Sequence, residues 1–197
     1  MRLIDYLCIV IMSIIIFIIF LYLKRQYNDE TYIKSDIDNE FYLVRNLPDK
    51  QIACNMLSKI KKNMYSLSQY LETNKDKYKD FTQYIDQLST KIYGCTIMES
   101  SENSIYTSYS VNKGEEIIFC LRSRSKKNEL HDINLVMYVV LHEMAHVACP
   151  EYGHGDLFKK IFAFLTERAV ELNLYTKIDF YKNPTEYCGL IINDSII

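Results

Sequence analysis

The stretch from Asp132 to Pro150, with His154 just beyond it, limits what this chain can fold into more than any other. The chain holds four histidines, and His142, His146 and His154 crowd into this one region. On a helix, residues four apart stand roughly 40° apart around the axis, so His142 and His146 project from one face and can aim two imidazole nitrogens at a common point. Glu143 lies one position on, roughly 100° round. It can reach past a metal held by the two histidines to a bound water without being a ligand itself. That is the general-base position of the H-E-x-x-H pattern.

The segment has to be helical for this to matter. From Asp132 to Ala148 there is neither Gly nor Pro, and Leu135, Val139, His142 and His146 form one stripe at helical spacing. Val136, Val140 and Val147 spread apolar surface around the cylinder, which reads as a buried helix. Asp132 is placed to cap its start and Pro150 to end it. The plain alternative is a core helix with hydrogen-bonded histidines. A third His directly downstream of a buried H-E-x-x-H helix favours the metal.

The rest of the 197 residues supply a scaffold. A formal net charge of −2 gives no nucleic-acid footprint. Leu3 to Leu23 is almost wholly apolar, broken by Asp5 and Ser13; at 1.5 Å per residue it would extend about 31 Å, bilayer thickness. It ends in Phe20-Leu21-Tyr22-Leu23 and Lys24-Arg25 without small residues, so residues 1–25 are expected to be an uncleaved single-pass transmembrane anchor. Lys24 and Arg25 against Arg2 lean toward a cytoplasmic carboxy-terminal domain. The active site is then expected to work tethered close to a membrane, on proteins at that surface. Cys54, Cys95, Cys120, Cys149 and Cys188 are widely spaced, with no close pair, which points to reduced, buried thiols and against a disulfide framework.

Taken in order, residues 26–46 are polar and aperiodic and read as a stalk, and residues 47–197 as one domain. Ile52, Met56, Leu57, Ile60, Met64, Leu67 and Leu71 mark one amphipathic helix, and Tyr78, Phe81, Ile85, Leu88 and Ile92 a second, closed by Gly94; the two should form a helical hairpin. The period then changes. Ile105, Thr107, Tyr109 and Val111 alternate, Asn112-Lys113-Gly114 supplies a turn, and Ile117, Phe119 and Leu121 alternate back, giving a β-hairpin. Such a strand is either an ordinary core element or an edge able to pair with an extended substrate backbone. Arg122 to Lys127 reads as a solvated basic loop. The tail from Tyr175 reads as a loop followed by a strand, Leu190 to Ile192.

Val111-Asn112-Lys113-Gly114 through Leu121-Arg122, then Leu141-His142-Glu143-Met144-Ala145-His146 and His154-Gly155-Asp156-Leu157-Phe158, resemble the WLM family of zinc metalloproteases, related to the SprT-like proteases. The resemblance covers roughly Ser110 to Leu172. It implies a zincin-like α+β domain with a β-hairpin beside the H-E-x-x-H helix, Zn²⁺ as cofactor and a protein or peptide as substrate. A catalytic zinc takes three protein ligands and leaves one position open. His154 is the first candidate for the third. Glu167 is its rival, but Phe158, Ile161, Phe162, Leu165, Ala169 and Leu172 form the buried face of the following helix, and Glu167 is turned away from it. Cys149 is better read as a small buried hydrophobe. Tyr152 and Tyr187 are the candidate phenols for stabilising an oxyanion, since each lies in a loop that could face the metal, although with 17 tyrosines in the chain chance placement is the better reading of each. The expectation is therefore a membrane-anchored zinc metallopeptidase with His142, His146 and His154 on the metal and Glu143 as base. The alternative is a membrane-tethered interaction protein with a non-catalytic zinc.

Overall fold

The computed structural model describes residues 3–197, with side chains for all of these except 3–5, 7 and 25–28. The elements run α1 (Leu3–Asp29), β1 (Glu30–Lys34), β2 (Phe41–Arg45), α2 (Lys50–Thr73), α3 (Thr82–Ile92), β3 (Thr96–Glu99), β4 (Tyr109–Val111), β5 (Glu116–Phe119), α4 (Ile133–Ala148), α5 (Asp156–Glu171), β6 (Thr185–Tyr187) and β7 (Leu190–Ile192). The class is α+β, as expected.

The helical hairpin forms as its periodicity requires. Leu57, Ile60, Met64, Leu67 and Leu71 of α2 are buried against Ile85, Leu88 and Ile92 of α3. Each such side chain, fully removed from water, contributes about 1.5–3 kcal/mol at most. Ser68 and Ser89 meet hydroxyl to hydroxyl at 3.3 Å across the seam, so neither polar group is stranded. Helix α3 packs on α4, and α4 on α5, which puts the histidine helix at the centre of the molecule. Asp132 caps α4 by accepting from the Asn134 N–H at 2.8 Å.

Beside α4 lies a three-stranded sheet in the order β3-β5-β4. The expected hairpin is present as β4 and β5, antiparallel from Tyr109↔Ile118 to Val111↔Glu116, although its strands are shorter than the alternation suggested. β3 adds a parallel partner on the other side of β5, leaving β4 as an edge. The intervening turn takes three left-handed residues in succession, Asn112, Lys113 and Gly114, with φ of 47°, 53° and 103°. At Gly114 the glycine is required twice over, because a Cβ would also stand 3.0 Å from Val147 Cγ1 on α4.

Three expectations need correction. The transmembrane anchor is not upheld: among the described residues no helix is long and apolar enough to cross a membrane. The single-pass localisation and the tethered active site fall with it, and Arg2, part of the topology argument, lies outside the described residues. Residues 26–46, read as a stalk, include the β1–β2 hairpin, paired from Glu30↔Arg45 to Lys34↔Phe41, with Tyr42 and Val44 in the core. Tyr42 and Val44 are the buried apolar residues of the hairpin, and two alternating positions are too short a signal to stand out among the acids and amides around them. Lastly, not all the core cysteines are free thiols: Cys120 and Cys188, 68 residues apart, form a disulfide, while Cys54, Cys95 and Cys149 are buried and unpaired. The partner of Cys120 arrives in the turn between β6, which falls where a loop was expected, and β7, which is the expected strand Leu190–Ile192, and no sequence spacing encodes that approach.

Candidate metal centre

The histidine helix and the turn after it build the site. His142 and His146 leave the same face of α4, and the chain then reverses through Pro150 and Gly153, which has φ +82°, to bring His154 back over the helix end. The Nε2 atoms of His142, His146 and His154 stand 3.1 Å from one another in all three pairings. Three ring nitrogens aimed at one point cannot satisfy each other as donors and acceptors. They do fit a small cation: tetrahedral ligands at the usual zinc–nitrogen distance of 2.0–2.1 Å would be spaced about 3.3 Å apart. Phe158 and Phe162 of α5 hold the imidazoles from behind, with ring centroids 5.0 and 5.3 Å from His142, and Phe158 4.3 Å from His146.

Burial sets the protonation states. It pushes the His142 imidazole down to about 3, with His146 and His154 adding to the effect, and His146 to about 4, helped by His154 and Lys113. Neutral imidazoles are the ligating form. Glu143, 4% exposed, is pushed up by burial to about 7, the range in which a carboxylate both accepts and returns a proton near neutrality.

The loop bearing His154 is fixed by a residue that the sequence reading treated only as part of a turn. Lys113 Nζ donates to the carbonyl oxygens of Cys149, Pro150 and Glu151 at 2.6, 2.9 and 3.0 Å. It also lies 4.4 Å from the centre of the Tyr152 ring. The ammonium thus satisfies carbonyls at the C-terminal end of α4, where the helix dipole favours a cation. Gln87 of α3 secures the same end by donating to the Val147 carbonyl at 2.8 Å.

A cleft of about 1040 Å³ opens over the three histidines and Glu143, with Ser108, Tyr109 and Ser110 along one side. Of the two candidate phenols, Tyr152 is 89% exposed at the mouth, whereas Tyr187 is buried in the wall. The Tyr187 hydroxyl shares a 2.6 Å hydrogen bond with Ser108 Oγ, which in turn accepts from the Cys120 N–H at 3.0 Å. The fourth histidine, His131, lies behind this wall with its ring 5.1 Å from Tyr187, and its Nε2 accepts from the Cys188 N–H at 3.2 Å. Glu167 points to solvent and pairs with Arg168 at 3.4 Å, so it is not brought to the histidines. Cys149 is buried, and its carbonyl, not its sulfur, is what the site uses. Nothing in the sequence around Ser108 or His131 marked them as parts of this wall.

Fold and site together describe an α+β domain with a three-histidine cluster that could hold a metal ion in an open cleft. The profile of the WLM domain matches residues 37–190, and the chain belongs to that family. It is 47% identical over 183 residues to the uncharacterised protein R325 of Acanthamoeba polyphaga mimivirus, covering 93% of this chain and 92% of that one. A shorter match, 37% identical over 83 residues, is to the uncharacterised protein 136R of Invertebrate iridescent virus 6, covering 41% of this chain and 44% of that one. Among solved structures, Wss1 from Saccharomyces cerevisiae aligns with a TM-score of 0.37 at 18% identity, over 52% of this chain and 84% of that one.

Proposed function

We propose that this chain is a zinc-dependent peptidase acting on proteins or peptides, with His142, His146 and His154 as the zinc ligands and Glu143 as the general base. The observation that carries the reading is the juxtaposition of three Nε2 atoms 3.1 Å apart with a buried carboxyl one residue from the first of them, all facing one cleft. Membership of the WLM family supports it. A bound zinc would lower the pKa of water toward about 7 and polarise a carbonyl. The chain's own residues do the rest. Glu143 accepts the proton of the attacking water at a carboxylate oxygen and passes it to the leaving amine nitrogen. Its burial keeps competing solvent away while that proton is held. β4, an edge strand beside the cleft, offers unpaired backbone groups along which an extended peptide can lie in register.

The second reading, a binding protein whose zinc is only structural, makes no use of Glu143, because a closed structural site has four protein ligands and no base. Glu143→Gln separates the two. It should leave bound zinc, measured by elemental analysis, at the wild-type level and abolish cleavage of an unfolded protein substrate. Loss of zinc after His142→Ala is the matching control. Retained cleavage in Glu143→Gln, or wild-type protein that takes up no zinc, would remove the proposal.

A further inference from the structure

The β6–β7 hairpin is a separate two-stranded sheet that shares no ladder with β3-β5-β4, yet it supplies Tyr187 to the wall of the cleft. Its attachment runs through Cys120, just after β5. The sulfur of Cys120 is bonded to Cys188, and its N–H donates to Ser108 Oγ, which meets the hydroxyl of Tyr187, the neighbour of Cys188. A closed ring therefore passes from the Cys120 peptide through the disulfide to residues 188 and 187 and back through Ser108. Further links come from Glu186, which accepts from Ser123 Oγ at 2.7 Å, and from His131 behind Cys188.

The turn itself points to the sulfur as the reason for this residue. Tyr187 pairs with Leu190, so Cys188 and Gly189 form a two-residue hairpin loop, both with positive φ, 50° and 87°. Such a loop favours Asn, Asp or Gly at its first position. A cysteine there follows no turn preference, and it is the residue that joins the hairpin covalently to the sheet.

We propose that the Cys120–Cys188 disulfide is a positioning element for Tyr187, and that its reduction loosens the cleft wall, so that turnover depends on the thiol–disulfide state of the protein. The consequence for turnover rests on the peptidase reading; the coupling of wall to disulfide does not. Access comes from the side away from the histidines. A second cavity of about 250 Å³ reaches Cys120 and gives a small thiol a path to it; its lining holds Arg45, Arg122 and Arg124 together with Glu99 and Glu102, so the charges there largely offset one another. A dithiol reductant attacks through one thiolate at Cys120 Sγ, forming a mixed disulfide and releasing Cys188 as a thiolate that takes up a proton. The reductant's second thiol then attacks its own sulfur in the mixed disulfide, releasing Cys120, which is protonated in turn. The protein gains two electrons and two protons, and the reductant leaves as its own disulfide. Without the bond, Tyr187 is held by hydrogen bonds and by its own burial against His131, with no covalent tie to the sheet.

The test uses the full chain loaded with zinc, after mild oxidation with glutathione disulfide and again after dithiothreitol. Alkylation mapped by mass spectrometry should label Cys120 and Cys188 only after reduction. Hydrogen exchange over residues 104–110 and 185–192 should rise on reduction while bound zinc stays constant. Cleavage by the wild type should fall about ten- to hundredfold in kcat/KM, the range expected when a group in a cleft shifts by about an ångström. If the effect passes through Tyr187, reduction should change Tyr187→Phe far less than it changes the wild type, a coupling that general loosening would not produce. Cys120→Ala, where it folds, should match the reduced wild type; reduction supplies the same comparison where it does not. Alkylation of both cysteines after glutathione disulfide treatment overturns the proposal. So does unchanged exchange in both segments on reduction, or cleavage indifferent to reduction; the last result leaves the peptidase reading intact. A zinc-loaded chain that shows the exchange change but never cleaves would instead sink the peptidase reading and leave the positioning role standing.

Discussion

Replacing Arg122 with methionine removes the cation that two carboxylates share beneath the sheet. Arg122 Nε donates to Glu99 Oε1 and Nη1 to Asp49 Oδ2, each at 2.7 Å, and Nη1 also reaches the Asn128 carbonyl at 3.0 Å. Arg122 and Glu99 are both buried, whereas the Asp49 side chain is 35% exposed. Burial pushes the Glu99 carboxyl up, opposed by Arg122 and by the Arg45 N–H, which donates to Glu99 Oε2 at 2.7 Å. Breaking such a pair from one side leaves a buried charge and costs about 3–5 kcal/mol. The half-exposed Asp49 contact adds less than about 1 kcal/mol, because solvent screens it. For a chain of this size, with about 2–4 °C per kcal/mol, the melting temperature should fall by about 6–20 °C. Urea unfolding of metal-free protein at pH 7 measures the change without contribution from zinc. Two further signs follow. With its cation gone, Glu99 sits still further above its unfolded value; a raised carboxylate gains stability as pH falls through its folded pKa, so the gap from wild type should narrow on acidification. Adding Glu99→Gln to Arg122→Met should recover a large part of the loss, since no buried charge remains. A loss below about 1 kcal/mol, or a double variant as unstable as the sum of the singles, would refute the assignment of an ionised buried pair.

Lys113→Met should weaken zinc binding by about ten- to hundredfold, as loss of groups supporting a metal ligand does, because the loop bearing His154 loses its three carbonyl contacts; competition with a chromophoric chelator measures it, and unchanged affinity would show that the loop is held by other means. Gly114→Ala should destabilise by about 2–4 kcal/mol, combining a left-handed backbone with a methyl 3.0 Å from Val147, and a urea midpoint equal to wild type would contradict that close approach. Burial lowers the His131 pKa, with Lys126 adding to the lowering, so the folded protein binds fewer protons there than the unfolded chain; the associated stability is full above the unfolded value of about 6.5 and is lost as pH falls through the folded one. His131→Gln, which keeps an acceptor for the Cys188 N–H, should flatten that part of the melting profile, and a profile of unchanged slope would assign the acid sensitivity elsewhere.

How much could be read beforehand depended on whether the signal was local. Helix α4 was legible because its cap, its apolar stripe and its stop all lie within one stretch, from Asp132 to Pro150. His142, Glu143 and His146 came with it, since helical spacing alone fixes which of them share a face. His154 was legible as a candidate, but its approach to the other two depends on Lys113, a residue whose turn position gave no hint that its ammonium would collect three carbonyls. The parallel pairing of β3 with β5 was missed because four residues, Thr96 to Glu99, carry too little alternation to be noticed. The link from Cys120 to Cys188 was missed for the opposite reason, a separation of 68 residues that only the folded chain closes. Tyr187 was legible as one of two candidate phenols, but nothing among 17 tyrosines marked its burial in the wall or its bond to Ser108. In the N-terminal run, apolar composition was read as a membrane span that the described helix does not supply.

The two sides of the cleft are consequently held by different forces. Behind the histidines, α4 and α5 are fixed by apolar burial, with Phe158 and Phe162 packed on the imidazoles, and truncating either to alanine would cost about 3–5 kcal/mol. That side cannot move without opening the core. The opposite side, made by residues 104–110 and the β6–β7 hairpin, is joined through one disulfide and a few polar contacts around Ser108, Ser123 and His131. Of the β6–β7 hairpin, Tyr187 and Cys188 are buried in the core whereas Leu190 and Ile191 are exposed, so undoing one of these links exposes little apolar surface beyond those two residues. Changes of redox state or pH should therefore act on the wall bearing Tyr187 before they reach the three histidines, and under the peptidase reading proposed above such changes would weaken the grip on substrate while leaving bound zinc in place.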